Sequence, residues 1–216
     1  MNWQDDAYLL SKHNYNENSL IIEAFTLRHG KYTGIVYGGS SRKQKRNFQI
    51  GNKIFINYIS KGESRPGYFS RELIKPIAPF YFDDKRKLIC LLSAASILKI
   101  LLPDRQVNEK IYYSFENLLE NLSGEMWINK YIFWELSLIK DLGFEYDSIY
   151  KKNSILINKE SLNIPKILNT NKSFELNKND IVEALIFNKN LFIENFITPN
   201  KLKLPLSRNL LENYYT

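Results

Sequence analysis

Four cations, Arg42, Lys43, Lys45 and Arg46, crowd into five positions directly behind Gly38, Gly39, Ser40 and Ser41 in the stretch Tyr37–Gln49, YGGSSRKQKRNFQ. Cations at that density can each neutralise one phosphate without reading sequence, and the glycines let the backbone conform to a flexible strand. The competing reading is a solvated hairpin loop. Tyr32, Tyr37, Phe48, Tyr58, Tyr68 and Phe69 are interleaved with these cations and with Arg28, Lys31, Arg65 and Arg71. They favour a polyanion with bases attached, because bases stack on such rings for roughly 1–3 kcal/mol each. Several of the rings must fill a core, which leaves two or three for a surface.

Catalytic chemistry is poorly supplied. The chain has two histidines, His13 and His29, both in or near predicted turns, and one cysteine, Cys90, inside the apolar run KLICLLSAASILKILL. No nucleophile stands beside a base, and each histidine reads as an exposed polar turn residue. Asp5 and Asp6 mark a strand entrance, and Asp83 and Asp84 a helix start. The loop YGGSSRKQKR lacks the G-x-x-x-x-G-K-[ST] spacing that places a lysine beside phosphate-cradling amides. The expectation is a protein that is not an enzyme and needs no cofactor. A nuclease would require a carboxylate cluster on one surface. One cysteine forms neither an internal disulfide nor a four-cysteine zinc site, which points to a reducing cytoplasm. The opening MNWQDDAYLL has no export-signal pattern. The apolar run is interrupted by Lys99 and falls short of the roughly 20 residues that cross a bilayer, so no membrane partner is expected.

The net charge of +7 is unevenly spread. Residues 1–80 hold 12 Lys and Arg against 6 Asp and Glu, whereas residues 81–216 hold 18 against 17. A compositional bias toward Asn, Ile and Lys would raise lysine everywhere. Five of the eight arginines nevertheless lie in the first 80 residues, and an N-terminal anionic partner follows.

The elements that must position these residues change period near residue 80. Before it come five strand patterns, AYLLSKH, SLIIEAFT, KYTGIVYG, NKIFINYIS and GYFSRELIK, separated by NYNEN, RHG, the basic loop and KGESRP. Short strands at roughly ten-residue spacing indicate a small barrel or sandwich. In KIFINYI, Ile54, Ile56 and Tyr58 share one face. Gly30 supplies a positive φ in its turn, and Pro66 and Pro76 fall at strand ends. After Pro79 the spacing is helical: one helix from Asp83–Asp84 to Pro103, a second over about 107–122, a third from Met126 to a left-handed stop at Gly143 with Phe144 folded back. These helices need each other's apolar faces and read as one bundle. SILIN is a short strand, NKNDIVEALIFN a helix with Asp180 at its positive end, and LPLSRNLLENYY a last helix. The fold class is α+β: a five-stranded OB-fold barrel over residues 1–80, then a helical domain over 81–216. A barrel with a basic loop and surface aromatics is the general form of a single-strand binder.

Four segments carry a resemblance: WQDDAYLLSK, NSLIIEAFTLRHGKYTGIVYGGSSR, LLPDR and WELSLIKDLGF. In this order they are similar to the bacterial recombination mediator RecO family. Residues 20–42 are the most specific part, and the last third resembles the family mainly in its LPLSR ending. The resemblance implies an N-terminal OB-fold and a helical domain, binding of single- and double-stranded DNA, and annealing of complementary strands. It also implies two protein partners: RecR, with which the family helps RecA displace single-strand-binding protein, and the acidic, hydrophobic tail of that protein, held in a cation-rimmed apolar pocket of the helical domain. Lys99, Arg105, Lys130 and Lys140 are the candidate cations. The location implied is cytoplasmic, at the nucleoid during repair. Many family members carry a four-cysteine zinc site after the LGF segment, where this chain reads EYDSIYKKNSILIN. Packing of Tyr146, Ile149 and Ile155 is expected in its place, with no metal. The alternative reading is an adaptor for the same partners with only weak DNA contact.

Overall fold

The computed structural model describes residues 1–39, 48–60, 62, 67–144, 154–157, 160–163, 165 and 176–216. Five strands, β1 (Asn2–Asn16), β2 (Ser19–Thr26), β3 (Gly30–Tyr37), β4 (Lys53–Ile59) and β5 (Gly67–Lys75), form a closed barrel in the order β1-β2-β3-β5-β4. All pairings are antiparallel except β3 with β5. β2 and β5 have the expected bounds. β1 is twice as long as its apolar pattern, because its first half pairs with β4, Asn2 opposite Ile59, and its second half with β2, Asn16 opposite Ser19. The register slips between Leu9 and Ser11, a bulge that bends the strand from one partner to the other.

Alternation along the strands fills the barrel with Ala7, Leu9, Leu20, Ile22, Ala24, Tyr32, Val36, Phe48, Ile54, Ile56, Tyr58 and Phe69. The expected inner face of β4, Ile54, Ile56 and Tyr58, is therefore the observed one. Gly30 has φ 79°, as its turn demands. His29 does not stand free in that turn. Its ring stacks 4.0 Å from Trp3, and its Nδ1 lies 3.0 Å from Oδ2 of buried Asp5, which also accepts the Arg28 amide at 2.6 Å. His13 lies within β1, opposite Ile21, rather than in a turn.

The first compact unit runs from Met1 to Tyr113 and the second from Ser114 to Thr216. Helix α1 (Lys85–Leu101) starts at Asp84, whose side chain accepts the Lys87 amide. It belongs to the barrel's unit rather than to a bundle with the later helices. Three contacts fix it there: Lys31 Nζ donates to the Lys99 carbonyl at 2.7 Å, Lys99 Nζ lies 3.0 Å from Glu23, and Leu91 packs where Gly51 has no side chain. Buried Asn52 accepts the amides of Ile77 and Ala78 through Oδ1, tying β4 to the entrance of α1.

Helix α2 (Glu109–Asn121) leads into the second unit, where α3 (Trp127–Asp141), α4 (Lys178–Phe192) and α5 (Leu206–Asn213) follow, with strands β6 (Ser154–Ile157) and β7 (Glu160–Asn163) forming a hairpin. α3 ends as expected: Gly143 has φ 98°, its amide reaches the Lys140 carbonyl, and the Phe144 amide reaches back to Ile139. Asn177 caps α4 by accepting the Asp180 amide. Arg208 on α5 is fully buried, its Nε 2.5 Å and Nη2 3.1 Å from the Glu135 carboxylate, with Nη2 also donating to the Leu185 carbonyl. Tyr131 and Asn188 donate to the same carboxylate. Burial opposes the Arg208 charge, but the Glu135 field outweighs it and the pKa moves up. Tyr146 and Ile149 lie outside the described residues. Ile155 sits in β6 opposite Leu162.

Candidate nucleic-acid interface

Because Tyr32 and Val36 point into the barrel, Ile35 and Tyr37 point out of it. Tyr37 is 62% exposed, and its ring stacks on Tyr68 with centroids 5.1 Å apart and planes 25° from parallel. Tyr68 reaches this position because β5 begins parallel to the middle of β3, placing Tyr68 opposite Ile35. A hydrogen bond with Tyr68 raises the Tyr37 pKa, burial and the fields of Tyr68 and Tyr15 adding to it. Tyr37 is therefore an uncharged phenol at neutral pH and offers no repulsion to phosphate. Tyr15, 55% exposed near the end of β1, lies near enough for its field to act on Tyr37. They stand where the β1–β2 turn, the β3–β4 loop and the β4–β5 loop leave the barrel, the side on which such barrels bind oligonucleotides. The sequence does not single out Tyr15, because the polar run NYNEN reads only as a turn; its place on an extended β1 is what exposes it.

The other aromatics of the basic region are core. Tyr32, Tyr58 and Phe69 are buried, and Phe48, 1% exposed, offers no face for stacking. The reason is local: Phe48 turns inward where the chain re-enters the barrel, and the Lys12 ammonium donates to its carbonyl. Arg71 lies on the inner side of β5, opposite Ile56, with its guanidinium carbon 3.9 Å from the Phe48 centroid. Burial pushes its pKa down to about 10, so it is still a cation at neutral pH. Lys31 is no surface cation either: it is 8% exposed, its ammonium held by the Lys99 carbonyl and, at 3.2 Å, by Asp104. Arg28 is exposed on the β2–β3 turn. Arg42, Lys43, Lys45, Arg46 and Arg65 lie outside the described residues. The first four are flanked by Gly39, packed near Leu20 and Val36, and by Phe48.

The second unit has a groove of about 420 Å³ between α2 and α3, lined by Ser114, Asn117, Leu118, Asn121, Lys130, Phe133, Trp134 and Ser137. Leu118, Phe133 and Trp134 are its apolar residues, the other five are polar, and its one cation, Lys130, donates to Asn121. Trp134 is 5% exposed, and its indole Nε1 has no hydrogen-bond partner. Of the four cations expected around a pocket, only Lys130 lines this one. Lys99 and Arg105 belong to the first unit, where Lys99 pairs with Glu23 and Arg105 lies over Tyr32. Lys140 is exposed in the last turn of α3.

Among the described residues, no three His, Cys, Asp or Glu side chains stand together as a metal site, and no helix is long and apolar enough to cross a membrane. A four-thiolate zinc site does not fit this chain, whose one cysteine is buried in α1.

Comparison with known proteins agrees with this architecture. The family described as "Recombination protein O N terminal" matches residues 1–76, and "Recombination protein O C terminal" matches residues 83–151. The DNA repair protein RecO of Roseobacter denitrificans is 33% identical over 145 residues, which are 67% of this chain and 60% of that protein. That of Caulobacter vibrioides strain NA1000 is 32% identical over 148 residues, 68% of this chain and 61% of that protein. The matches thus span about three fifths of the relatives' length. On the two domain matches and these relatives, the chain belongs to the recombination protein O family.

Proposed function

We propose that this chain is a DNA-repair recombination mediator, which binds single- and double-stranded DNA, anneals complementary strands and, with RecR, helps RecA replace single-strand-binding protein. The observation that carries the DNA-binding part is the Tyr37–Tyr68 stack, with Tyr37 exposed, at the root of the loop that contains Arg42, Lys43, Lys45 and Arg46. Uncharged rings can stack on bases, and the dense run of cations that follows them in sequence can neutralise phosphates. The division of labour proposed is a DNA-binding N-terminal domain over residues 1–80 and a partner-binding domain over 81–216.

The test is a salt titration of single-strand binding, with and without RecR. Replacing Arg42, Lys43, Lys45 and Arg46 with glutamine should lower the magnitude of the log-affinity against log-salt slope by roughly 3. Equal slopes for wild type and variant would place the phosphate contacts elsewhere.

The α2–α3 groove favours an additional adaptor role. Leu118, Phe133 and Trp134 with Lys130 in the same groove suit the acidic, hydrophobic tail of single-strand-binding protein. A labelled tail peptide should bind the full chain, and Lys130→Glu should weaken that binding while leaving DNA affinity in place. A peptide that binds both proteins alike would remove the groove from the reading.

A further inference from the structure

We infer that the mouth of the barrel beside the β4–β5 loop is a second anion site, which takes a phosphoryl group on Arg105. A cleft of about 280 Å³ opens there, lined by Met1, Tyr32, Tyr58, Ser60, Gly62 and Arg105. Among the described residues, the polar side chains in its wall are a guanidinium, two phenols and a hydroxyl, with no carboxylate. Two acids of the described residues nearby are engaged elsewhere, Asp104 by Lys31 at 3.2 Å and Asp5 by His29 at 3.0 Å and the Arg28 amide. The one charged side chain among the described lining residues is the Arg105 guanidinium, and a cleft focuses the potential of such a charge on whatever enters it. A guanidinium beside phenol donors matches the oxygens of a phosphate.

The backbone of Arg105 is the second observation. Its φ is 60°, a left-handed conformation that costs a non-glycine residue roughly 1–2 kcal/mol. The surrounding chain enforces it. The Arg105 amide donates to the Lys31 carbonyl at 2.9 Å, Asp104 forms a bridge with Lys31, and the Gln106 backbone presses so closely on Gly30 that a Cβ there would lie 2.2 Å from its carbonyl oxygen. The result is a guanidinium held 5.6 Å from the Tyr32 centroid. No carboxylate among the described residues pairs with it. A backbone fixed in this way holds the guanidinium at the cleft in advance of a ligand, so that binding a phosphoryl group there need not order it.

The source of the phosphoryl group rests on the nucleic-acid reading above. It is either the terminal monoester of a strand or an internal diester, and both present the same oxygens.

Calorimetric titration of the full chain with inorganic phosphate, and with one oligonucleotide carrying or lacking a 5′-phosphate, separates the possibilities when repeated on Arg105→Gly. Glycine removes the guanidinium and the left-handed strain together. The expected result is loss of phosphate binding, oligonucleotide affinity lower by roughly tenfold or more, a slope smaller by about 0.7, and a melting temperature unchanged or higher. Arg105→Lys, which keeps the charge, should keep the slope. A preference for the phosphorylated strand that disappears in Arg105→Gly assigns the terminal monoester; equal loss for both strands assigns the diester. A lower melting temperature with wild-type phosphate and oligonucleotide binding would make Arg105 a structural cap and overturn the site. If the wild-type protein bound no oligonucleotide, the nucleic-acid reading would fail, and the inorganic phosphate titration alone would decide this one: no binding, or binding equal in Arg105→Gly, overturns it.

Discussion

Gly34 and Gly67 stand opposite one another on β3 and β5, and the rings of Phe69 and Tyr58 occupy the space their side chains would take. A Cβ on Gly67 would lie 2.2 Å from the Tyr58 ring, and one on Gly34 2.6 Å from Phe69. The parallel seam therefore closes only because both positions lack a side chain. Gly67→Ala should destabilise the protein by about 1–3 kcal/mol through overpacking, and calorimetric melting would register it. An unchanged melting temperature would mean that Tyr58 moves aside without cost.

Lys31 separates a structural from a DNA-binding cation. Its ammonium joins the barrel to the last turn of α1, so Lys31→Met should lower stability by roughly 1.5–3 kcal/mol, the usual range for a hydrogen bond to a charged group. The salt slope of DNA binding should stay at the wild-type value. A slope reduced by about 0.7 would show that Lys31 touches a phosphate after all.

The Arg208–Glu135 pair makes a sharper stability prediction. Both side chains are fully buried and share their hydrogen bonds with Tyr131, Asn188 and the Leu185 carbonyl. Arg208→Met alone leaves a buried carboxylate without its cation and should cost about 3–5 kcal/mol. Replacing Arg208 and Glu135 together with apolar residues should cost less than Arg208→Met. Denaturant melts of the single and double variants test the order.

Tyr37 and Tyr68 should act on affinity and not on its salt dependence. Leucine at either position should weaken single-strand binding by roughly 1–3 kcal/mol at every salt concentration, giving parallel lines in the titration. Wild-type affinity in both variants would exclude the stack as a base platform.

The barrel was legible because strand alternation and turn residues carry it directly: Ile54, Ile56 and Tyr58 point inward as their spacing requires, and Gly30 and Gly143 take the positive φ their positions demand. The site was less legible, for a physical reason. Whether an aromatic or a lysine in a strand faces the core or the solvent depends on its register, and a stretch such as YGGSSRKQKRNFQ has no alternation from which to read it. Phe48 and Lys31 look like surface ligands in the sequence and are buried, while Tyr15 looks like a turn residue and is exposed. The placement of α1 was hidden for a similar reason. Its apolar residues fit either a bundle or a sheet, and the contacts that decide, Lys31 with Lys99 and Leu91 with Gly51, lie far apart in sequence.

The long first strand has a consequence for how the chain is made. β1 is synthesised first, yet half of its hydrogen bonds go to β4, with Asn2 opposite Ile59. Until β4 has left the ribosome, residues 2–8 form an unsatisfied edge beside a complete β1–β2–β3 meander. Such an edge invites pairing with another chain, and non-local closure of this kind is slow. The window of greatest exposure to aggregation therefore falls before the last two barrel strands are available, and ends when β5 lies down between β3 and β4.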